Sequence, residues 1–153
     1  MIMISACLAG EKCRYDGKAN KIEELAKLAK EKKAILICPE VMGGLKTPRD
    51  PAEIKNGDGT SVLKGEAKIY TKKGQDVTKK FAEGAFKVLQ IAEAYQPEYI
   101  ILKENSPSCG SCNIYDGTFS KKLIEGMGVT AAILKREGFK IYSEHNYPND
   151  NNK

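Results

Sequence analysis

Short apolar runs that alternate with helical patterns are the feature that most constrains how this chain can fold. Each run has four or five residues and is rich in Ile or Leu, which is typical of strands buried inside a parallel sheet. Because helical patterns separate the runs, we expect a single α/β domain, Rossmann-like, in which helices flank a mainly parallel, right-handed sheet. The runs are IMIS (2–5), AILI (34–37), YIIL (99–102) and FKIYS (139–143).

Helices are predicted between these strands. The first begins at a capping pair formed by Asn20 and Glu23, three positions apart. The second is long and lies between residues 76 and 97, where apolar residues recur at helical spacing. In the last third of the chain, Gly126 and Gly128 interrupt the helical pattern, which predicts a short helix, a kink and then a second helix over residues 130–138.

The segment over residues 43–76 does not fit the alternation. It starts as a loop rich in Gly and Pro and continues with strand-like alternation, which predicts a β-hairpin at about residues 60 to 73, inserted outside the main sheet. A chain of 153 residues suits one domain. We place that domain at residues 1–144 and expect residues 145–153 to form a polar, flexible tail.

The charge and the first residues exclude several classes of partner. The net charge is +5, but the lysines alternate with acids or face outward on predicted helices, and the sequence has no Trp and no nucleic-acid-binding signature. We therefore expect no nucleic acid partner and only a modest attraction for an anionic small molecule. The opening MIMISACLAG is short and lacks a preceding basic stretch, which predicts a cytoplasmic protein without a membrane partner.

Three of the five cysteines are predicted to meet at one edge of the sheet. Cys7 follows the first strand, Cys38 follows the second, and Cys109 lies a few residues past the third. Ligands of such sheets bind beyond the carboxyl ends of the strands, so these thiols should converge on one site. Taken singly, each thiol can also be an ordinary core residue, since Cys is often buried.

Three kinds of chemistry are compatible with that convergence. Cys109 and Cys112 form a C-x-x-C pair, but they precede a turn instead of opening a helix after the first strand. A structural zinc site needs two such short pairs, and the sequence offers one. An iron–sulfur cluster uses thiolates, and with three protein ligands one iron stays open as a Lewis acid.

Four motifs resemble the signatures of the thiouracil desulfidase (TudS) family, in order and with similar spacing. The resemblance covers nearly the whole chain and implies an enzyme that removes sulfur from 2-thiouracil with a [4Fe-4S] cluster. It also implies that Cys7, Cys38 and Cys109 are the cluster ligands and leaves Cys13 and Cys112 as spectators. The motifs are SACLAGEKCRYDG (5–17), CPEVMGGLKTPR (38–49), LKENSPSCG (102–110) and IYDGTFS (114–120).

The chemistry of the family assigns roles to four polar residues. The substrate, a thiolated nucleobase or nucleotide, places its soft sulfur on the open iron, and water attacks the carbon. Glu40, two residues after Cys38, is predicted to be the general base. Ser106 or Ser108 is expected to hydrogen-bond the pyrimidine or the cluster, and Lys103 to stabilise negative charge.

Two other functions stay open on the sequence alone. A metal-free protein that carries sulfur as a persulfide would need one exposed, reactive Cys, and a regulatory protein would bear the cluster without catalysis. The repeated Tyr-Asp-Gly at residues 15–17 and 115–117 predicts two turns, because Asp bonds to nearby backbone and Gly accepts positive φ. We expect these turns to fold two loops over the same pocket.

Overall fold

The computed structural model describes residues 1–148, in which strands and helices alternate along most of the chain. A 3₁₀ turn at Ala6–Ala9 follows the first strand. The strands are β1 (Ile2–Ser5), β2 (Ala34–Ile37), β3 (Ala52–Lys55), β4 (Lys68–Thr71), β5 (Ile100–Leu102), β6 (Asn113–Tyr115), β7 (Leu123–Glu125) and β8 (Ile141–Ser143). The helices are α1 (Glu23–Lys30), α2 (Pro39–Met42), α3 (Gly59–Leu63), α4 (Thr78–Tyr95) and α5 (Val129–Arg136).

The main sheet has four parallel strands in the order β2-β1-β5-β8. These are the four strands predicted from the apolar runs, so the α/β class and the parallel sheet are confirmed. In the central strand β1, Ile4 pairs with Leu36 on one side and with Ile101 on the other. All four residues of β1 are buried, which explains why the run is apolar without alternation.

Helices cover both faces of this sheet. Met3 points to one face, where it joins the core that α4 and α5 form, while Ile2 and Ile4 point to the other face and join Leu25 of α1. The predicted long helix is confirmed as α4, with 18 residues. Across residues 1–148, no helix combines the length and the apolar character that crossing a membrane requires.

The chain remains packed a little beyond the predicted domain boundary. Tyr147 is buried in the α1-side core, and its hydroxyl donates a hydrogen bond to Glu24. Sequence reasoning placed Tyr147 in the flexible tail because its neighbours are polar. Residues 149–153, which make up the rest of that tail, lie outside the described part of the chain.

The inserted antiparallel pair lies outside the main sheet, as predicted, but its extent differs. Strand β4 pairs with β3, which lies in the stretch predicted to be loop, and residues 59–63 are the helix α3 instead of a strand. The helix forms because Asp58 and Ser61 make a capping box: the Ser61 N–H donates to Asp58 Oδ1 over 3.1 Å. The capping box therefore decided the structure of residues 59–63, and the strand-like alternation predicted there did not.

One predicted helix is absent, and the predicted cap of another is wrong. The predicted short helix before the 126–128 glycines is an antiparallel hairpin of β6 and β7. Helix α1 has Ile22 at its N-cap position, and no side chain caps it. Asn20 is used elsewhere, because its Oδ1 accepts a hydrogen bond from Arg14 and its backbone N–H donates to the Cys7 carbonyl. Both contacts are tertiary.

Candidate functional site

A cavity of about 760 Å³ opens beyond the carboxyl ends of β1, β2 and β5. The three predicted ligands Cys7, Cys38 and Cys109 line it, together with Cys13. We call the first three thiols the floor of the cavity. A second part of the wall, which we call the rim, consists of the turn at 14–17 and the loop at 115–121, each with side chains that line the cavity. The volume is typical of small-molecule sites.

Cys7 lies in the 3₁₀ turn that follows β1 directly. Its carbonyl accepts hydrogen bonds from the backbone N–H groups of Gly10 and Asn20, which hold the turn against the following segment. Burial, with contributions from the nearby Glu40 and Cys38, raises the pKa of the Cys7 thiol to about 12. The thiol is therefore neutral at pH 7 unless a cation joins it.

Cys38 lies at the N-cap of the short helix α2. This helix is pressed against α4 where Gly43 and Gly84 meet: a Cβ on Gly43 would lie 2.0 Å from the Lys80 carbonyl oxygen. The pKa of Cys38 is raised by its hydrogen bond to the Cys13 side chain, by burial and by Glu40, and the same bond lowers the pKa of Cys13. The two thiols are direct neighbours.

The loop that carries Cys109 is organised by a carboxylate that the sequence analysis missed. Glu104 is only 6% exposed, and its Oε1 accepts the backbone N–H groups of Ser111, Cys112 and Asn113 at 2.8–3.1 Å. Burial alone would raise the pKa of Glu104, but these hydrogen bonds lower it below its ordinary value. Glu104 therefore remains charged, and its hydrogen bonds join the two ends of the loop that carries Cys109.

Helix α5 secures the same loop from the other side. The first backbone N–H groups of the helix donate to loop carbonyls: Val129 to Pro107 and Thr130 to Ser108, both over 2.8 Å. Helix N-termini leave such donors unpaired unless a partner is supplied. Gly128 allows the close approach, since a Cβ there would lie 2.4 Å from the Ser108 carbonyl carbon. Cys109 is therefore held on both sides.

The donor set suits an iron–sulfur cluster better than a single metal ion. Within residues 1–148, no three His, Cys, Asp or Glu side chains lie close enough to hold one ion. Thiolates that bind a cluster attach to different iron atoms and so stand farther apart. Burial, chiefly, raises the pKa of Cys109 as well, and such thiols lose their protons only when metal cations replace them.

Glu40 lines the same cavity as the floor thiols. Its charge contributes to the raised pKa of Cys7, Cys38 and Cys109. Its partner is Arg49, with 3.5 Å between Oε2 and Nη2, and both side chains are largely buried. Arg49 also donates to the Cys13 carbonyl over 3.1 Å, so it links the floor to the segment that leads into the rim.

The other predicted site residues occupy different environments. Lys103 lines the cavity, and its Nζ lies 2.9 Å from a Glu144 oxygen. Ser106 also lines the cavity, and its Oγ accepts the Cys109 N–H over 2.7 Å. Ser108 is fully buried behind the cavity wall, where its hydroxyl bonds to Thr130 and lies 3.7 Å from the Cys109 sulfur.

The two Tyr-Asp-Gly turns face the same cavity. Asp16 Oδ1 accepts the Lys18 N–H, Asp116 Oδ1 accepts the Thr118 N–H, and the glycine of each turn has positive φ. Tyr15 and its counterpart Tyr115 both line the cavity, as expected of loops folded over one pocket. Cys112 is exposed and does not line the cavity.

Sequence reasoning missed three residues that shape the site: Arg49, Glu53 and Glu104. A usable signal existed for Arg49, which lies in a quoted motif beside Pro48. Glu104 also lies in a quoted motif, LKENSPSCG. Glu53 carried no such signal, because an acid in a strand is usually solvated and only the tertiary structure supplies its N–H donors.

Comparisons with known proteins give similarities over nearly the whole chain. Residues 2–146 match the model of a family described as 2-thiouracil desulfurase. A relative from Bacillus subtilis (strain 168), named uncharacterized protein YbbK, is 54% identical over 145 residues, which are 95% of this chain and 96% of the relative. A solved structure named [4Fe-4S]-dependent thiouracil desulfidase TudS has a TM-score of 0.85 and 42% identity, and covers 96% of this chain and 92% of its own. The residues matched by the family model include all those that line the cavity.

Proposed function

Because the chain belongs to the 2-thiouracil desulfurase family, we propose that it removes the sulfur of 2-thiouracil, or of a related thiolated pyrimidine, as sulfide. It is an enzyme with a [4Fe-4S] cluster as its cofactor, in line with the solved desulfidase at 42% identity. The observation that carries the reaction is the convergence of three strand-end thiols and Glu40 on one cavity. Water supplies the oxygen, so the reaction needs no external reductant or oxidant.

The proposed cluster ligands are Cys7, Cys38 and Cys109. Each lies on a segment that the fold holds in place; Cys7 and Cys109 are buried, and Cys38 is partly buried. When it is bound by three thiolates, a [4Fe-4S] cluster supplies an open, Lewis-acidic iron with affinity for the soft sulfur of the substrate. Cys13 is a neighbour of Cys38 and is proposed to remain a spectator, since a fourth thiolate would occupy the open iron.

Glu40 is the proposed general base. Its carboxylate lines the same cavity as the three thiols, so it can take the proton of the attacking water there. The Arg49 guanidinium orients that carboxylate through Nη2 and is itself held by the Cys13 carbonyl. One carboxylate oxygen therefore keeps its direction while the other accepts the proton.

The two serines and Lys103 have separate proposed roles. Ser106 accepts the Cys109 N–H through its oxygen, so its own proton is available to a substrate atom in the cavity. The Cys109 thiol donates to the Ser108 hydroxyl oxygen over 3.7 Å, and once that thiol is deprotonated the Ser108 hydroxyl would donate to the thiolate and stabilise it. Lys103, paired with Glu144, adds positive charge beside the floor, where negative charge accumulates.

Anaerobic purification followed by an assay tests the function. We expect a coloured protein with about four iron atoms per chain that converts 2-thiouracil to uracil and releases one sulfide per turnover. A metal-free sulfur carrier would be colourless under the same conditions. A regulatory protein would carry the iron and release no sulfide from any thiolated pyrimidine. Either outcome would replace the desulfidase proposal.

A further inference from the structure

The rim loop at residues 115–121 presents an aromatic wall to the cavity. Tyr115, Phe119 and Lys121 all line it. Phe119 is half-buried, and it belongs to neither hydrophobic cluster that residues 1–148 form on the two faces of the sheet. Its ring is therefore not explained as part of the protein core, although it lies against the cavity.

Phe119 is held in an uncommon backbone conformation. Its φ is 57°, in the left-handed region that bulky residues rarely adopt, and Lys121 has a φ of 64°. A conformation of this kind persists only where the surrounding structure imposes it, and such residues cluster at functional sites. The turn around Asp116 supplies part of that constraint, since its carboxylate accepts the Thr118 N–H and hydroxyl.

Glu53 supplies the rest of the constraint. This strand β3 residue is 8% exposed, lines the cavity, and accepts the N–H groups of Gly117 and Phe119 on the same oxygen, at 2.9 and 3.1 Å. The loop lies directly on the strand, because a Cβ at Gly117 would be 2.6 Å from the Ile54 carbonyl oxygen. One buried carboxylate thus sets the backbone on both sides of Thr118.

We propose that Phe119 determines specificity by packing its ring against the face of the planar heterocycle of the substrate, and that Glu53 is the positioning residue that holds it there. This inference rests on the proposed desulfidase function. A planar, weakly polar ring is well recognised by an aromatic side chain, and loss of such stacking typically weakens binding of a base by about ten- to hundredfold. The ring contact stabilises the bound substrate and the transition state equally. Its loss should therefore raise KM and leave kcat nearly unchanged.

The first experiment measures steady-state kinetics of cluster-loaded Phe119→Ala and Phe119→Leu with 2-thiouracil. We expect KM to rise about ten- to hundredfold in the alanine variant and less in the leucine variant, while kcat stays within about threefold of the parent. The control is Phe86→Ala, which removes an exposed ring on α4, away from the cavity. A KM within twofold of the parent for Phe119→Ala would overturn the inference.

The second experiment separates positioning from general stability. Glu53→Gln retains an oxygen that can accept both N–H groups, so its KM should stay within about threefold of the parent, whereas Glu53→Leu should match Phe119→Ala. The KM of the variant that combines Glu53→Leu with Phe119→Ala should be no higher than that of either single variant, because both substitutions remove the same contact. Amide hydrogen exchange at Gly117 and Phe119 should accelerate in Glu53→Leu. A purely structural Glu53 would lower the melting temperature and leave KM unchanged.

These experiments also show whether the Phe119 inference or the desulfidase function itself fails. A cluster-loaded parent that releases no sulfide from any thiolated pyrimidine would refute the desulfidase function itself. An active parent with an unchanged KM in Phe119→Ala would refute the inference alone. If Glu53→Leu does not fold, the Phe119 variants still decide, because removal of a half-buried loop ring leaves the core intact.

Discussion

The floor and the rim of the cavity are built in different ways. Each floor thiol follows a strand of one parallel sheet, and backbone contacts hold its segment: α4 packs against α2 next to Cys38, α5 bonds to the Cys109 loop, and the Cys7 carbonyl accepts two backbone N–H groups. The rim turns are closed by their own local hydrogen bonds and are tied to the rest of the fold at a few points: the Arg49 backbone N–H donates to the Tyr15 carbonyl, and Glu53 accepts the N–H groups of Gly117 and Phe119. The floor therefore depends on many contacts and the rim on a few, so one substitution should affect the two regions differently.

The largest expected effect is loss of the cluster when a floor thiol is removed. Replacement of Cys7, Cys38 or Cys109 by Ser should abolish iron retention, because a hydroxyl is a poor ligand for iron in a cluster. Cys13→Ser and Cys112→Ser, at a neighbouring and an exposed thiol, should keep it. The measurement is iron content and visible absorption after anaerobic purification. Loss of iron in Cys112→Ser alone would mean that the floor is wrongly assigned.

Glu40→Gln should produce the next largest effect and leave the floor intact. The amide keeps nearly the same volume but cannot accept a proton, so the single-turnover rate should fall by about a hundredfold to ten-thousandfold. The absorption spectrum should match that of the parent. Glu83→Gln, on the exposed side of α4, serves as the matched control. Equal rates for cluster-loaded Glu40→Gln and parent would remove Glu40 from the mechanism.

Arg49→Lys tests the link between the two regions. Lysine keeps the positive charge, but one ammonium cannot replace the planar guanidinium that contacts Glu40, the Cys13 carbonyl and Thr47. Misplacement of the base should lower kcat by about ten- to hundredfold, with iron content unchanged. Arg136→Lys, at an exposed pair on α5, should have no effect on kcat. A loss of iron instead would show that Arg49 supports the floor.

The smallest effect concerns the acid stability of the Cys109 loop. The pKa of Glu104 is lower in the folded than in the unfolded protein, so its contribution to stability is present above the ordinary Glu pKa and disappears as the pH falls. Glu104→Gln should cost about 1 to 3 kcal/mol at pH 7, and the difference from the parent should shrink below about pH 4. Thermal unfolding at several pH values measures this. A difference that does not vary with pH would contradict the charged role of Glu104.

The sequence supports accurate prediction where neighbours along the chain decide the structure. The four apolar runs became the main sheet, and the long stripe between residues 76 and 97 became α4. Secondary-structure predictions failed where a short segment could pair with either of two other parts of the chain. The alternation after residue 60 was assigned to a hairpin, whereas Asp58 starts a helix there and β4 pairs with a strand in a supposed loop.

In the site, too, some features follow from the local sequence and others from tertiary contacts. The sequence by itself determined the parallel sheet and the meeting of Cys7, Cys38 and Cys109, because strands that run in one direction bring their ends to one edge. Only the tertiary structure decided that Ser106 faces the cavity while Ser108 faces Thr130. It also decided the use of the buried acids, since the donors that Glu53 binds lie more than sixty residues away along the chain. Such contacts depend on distance in space and leave no local pattern in the sequence.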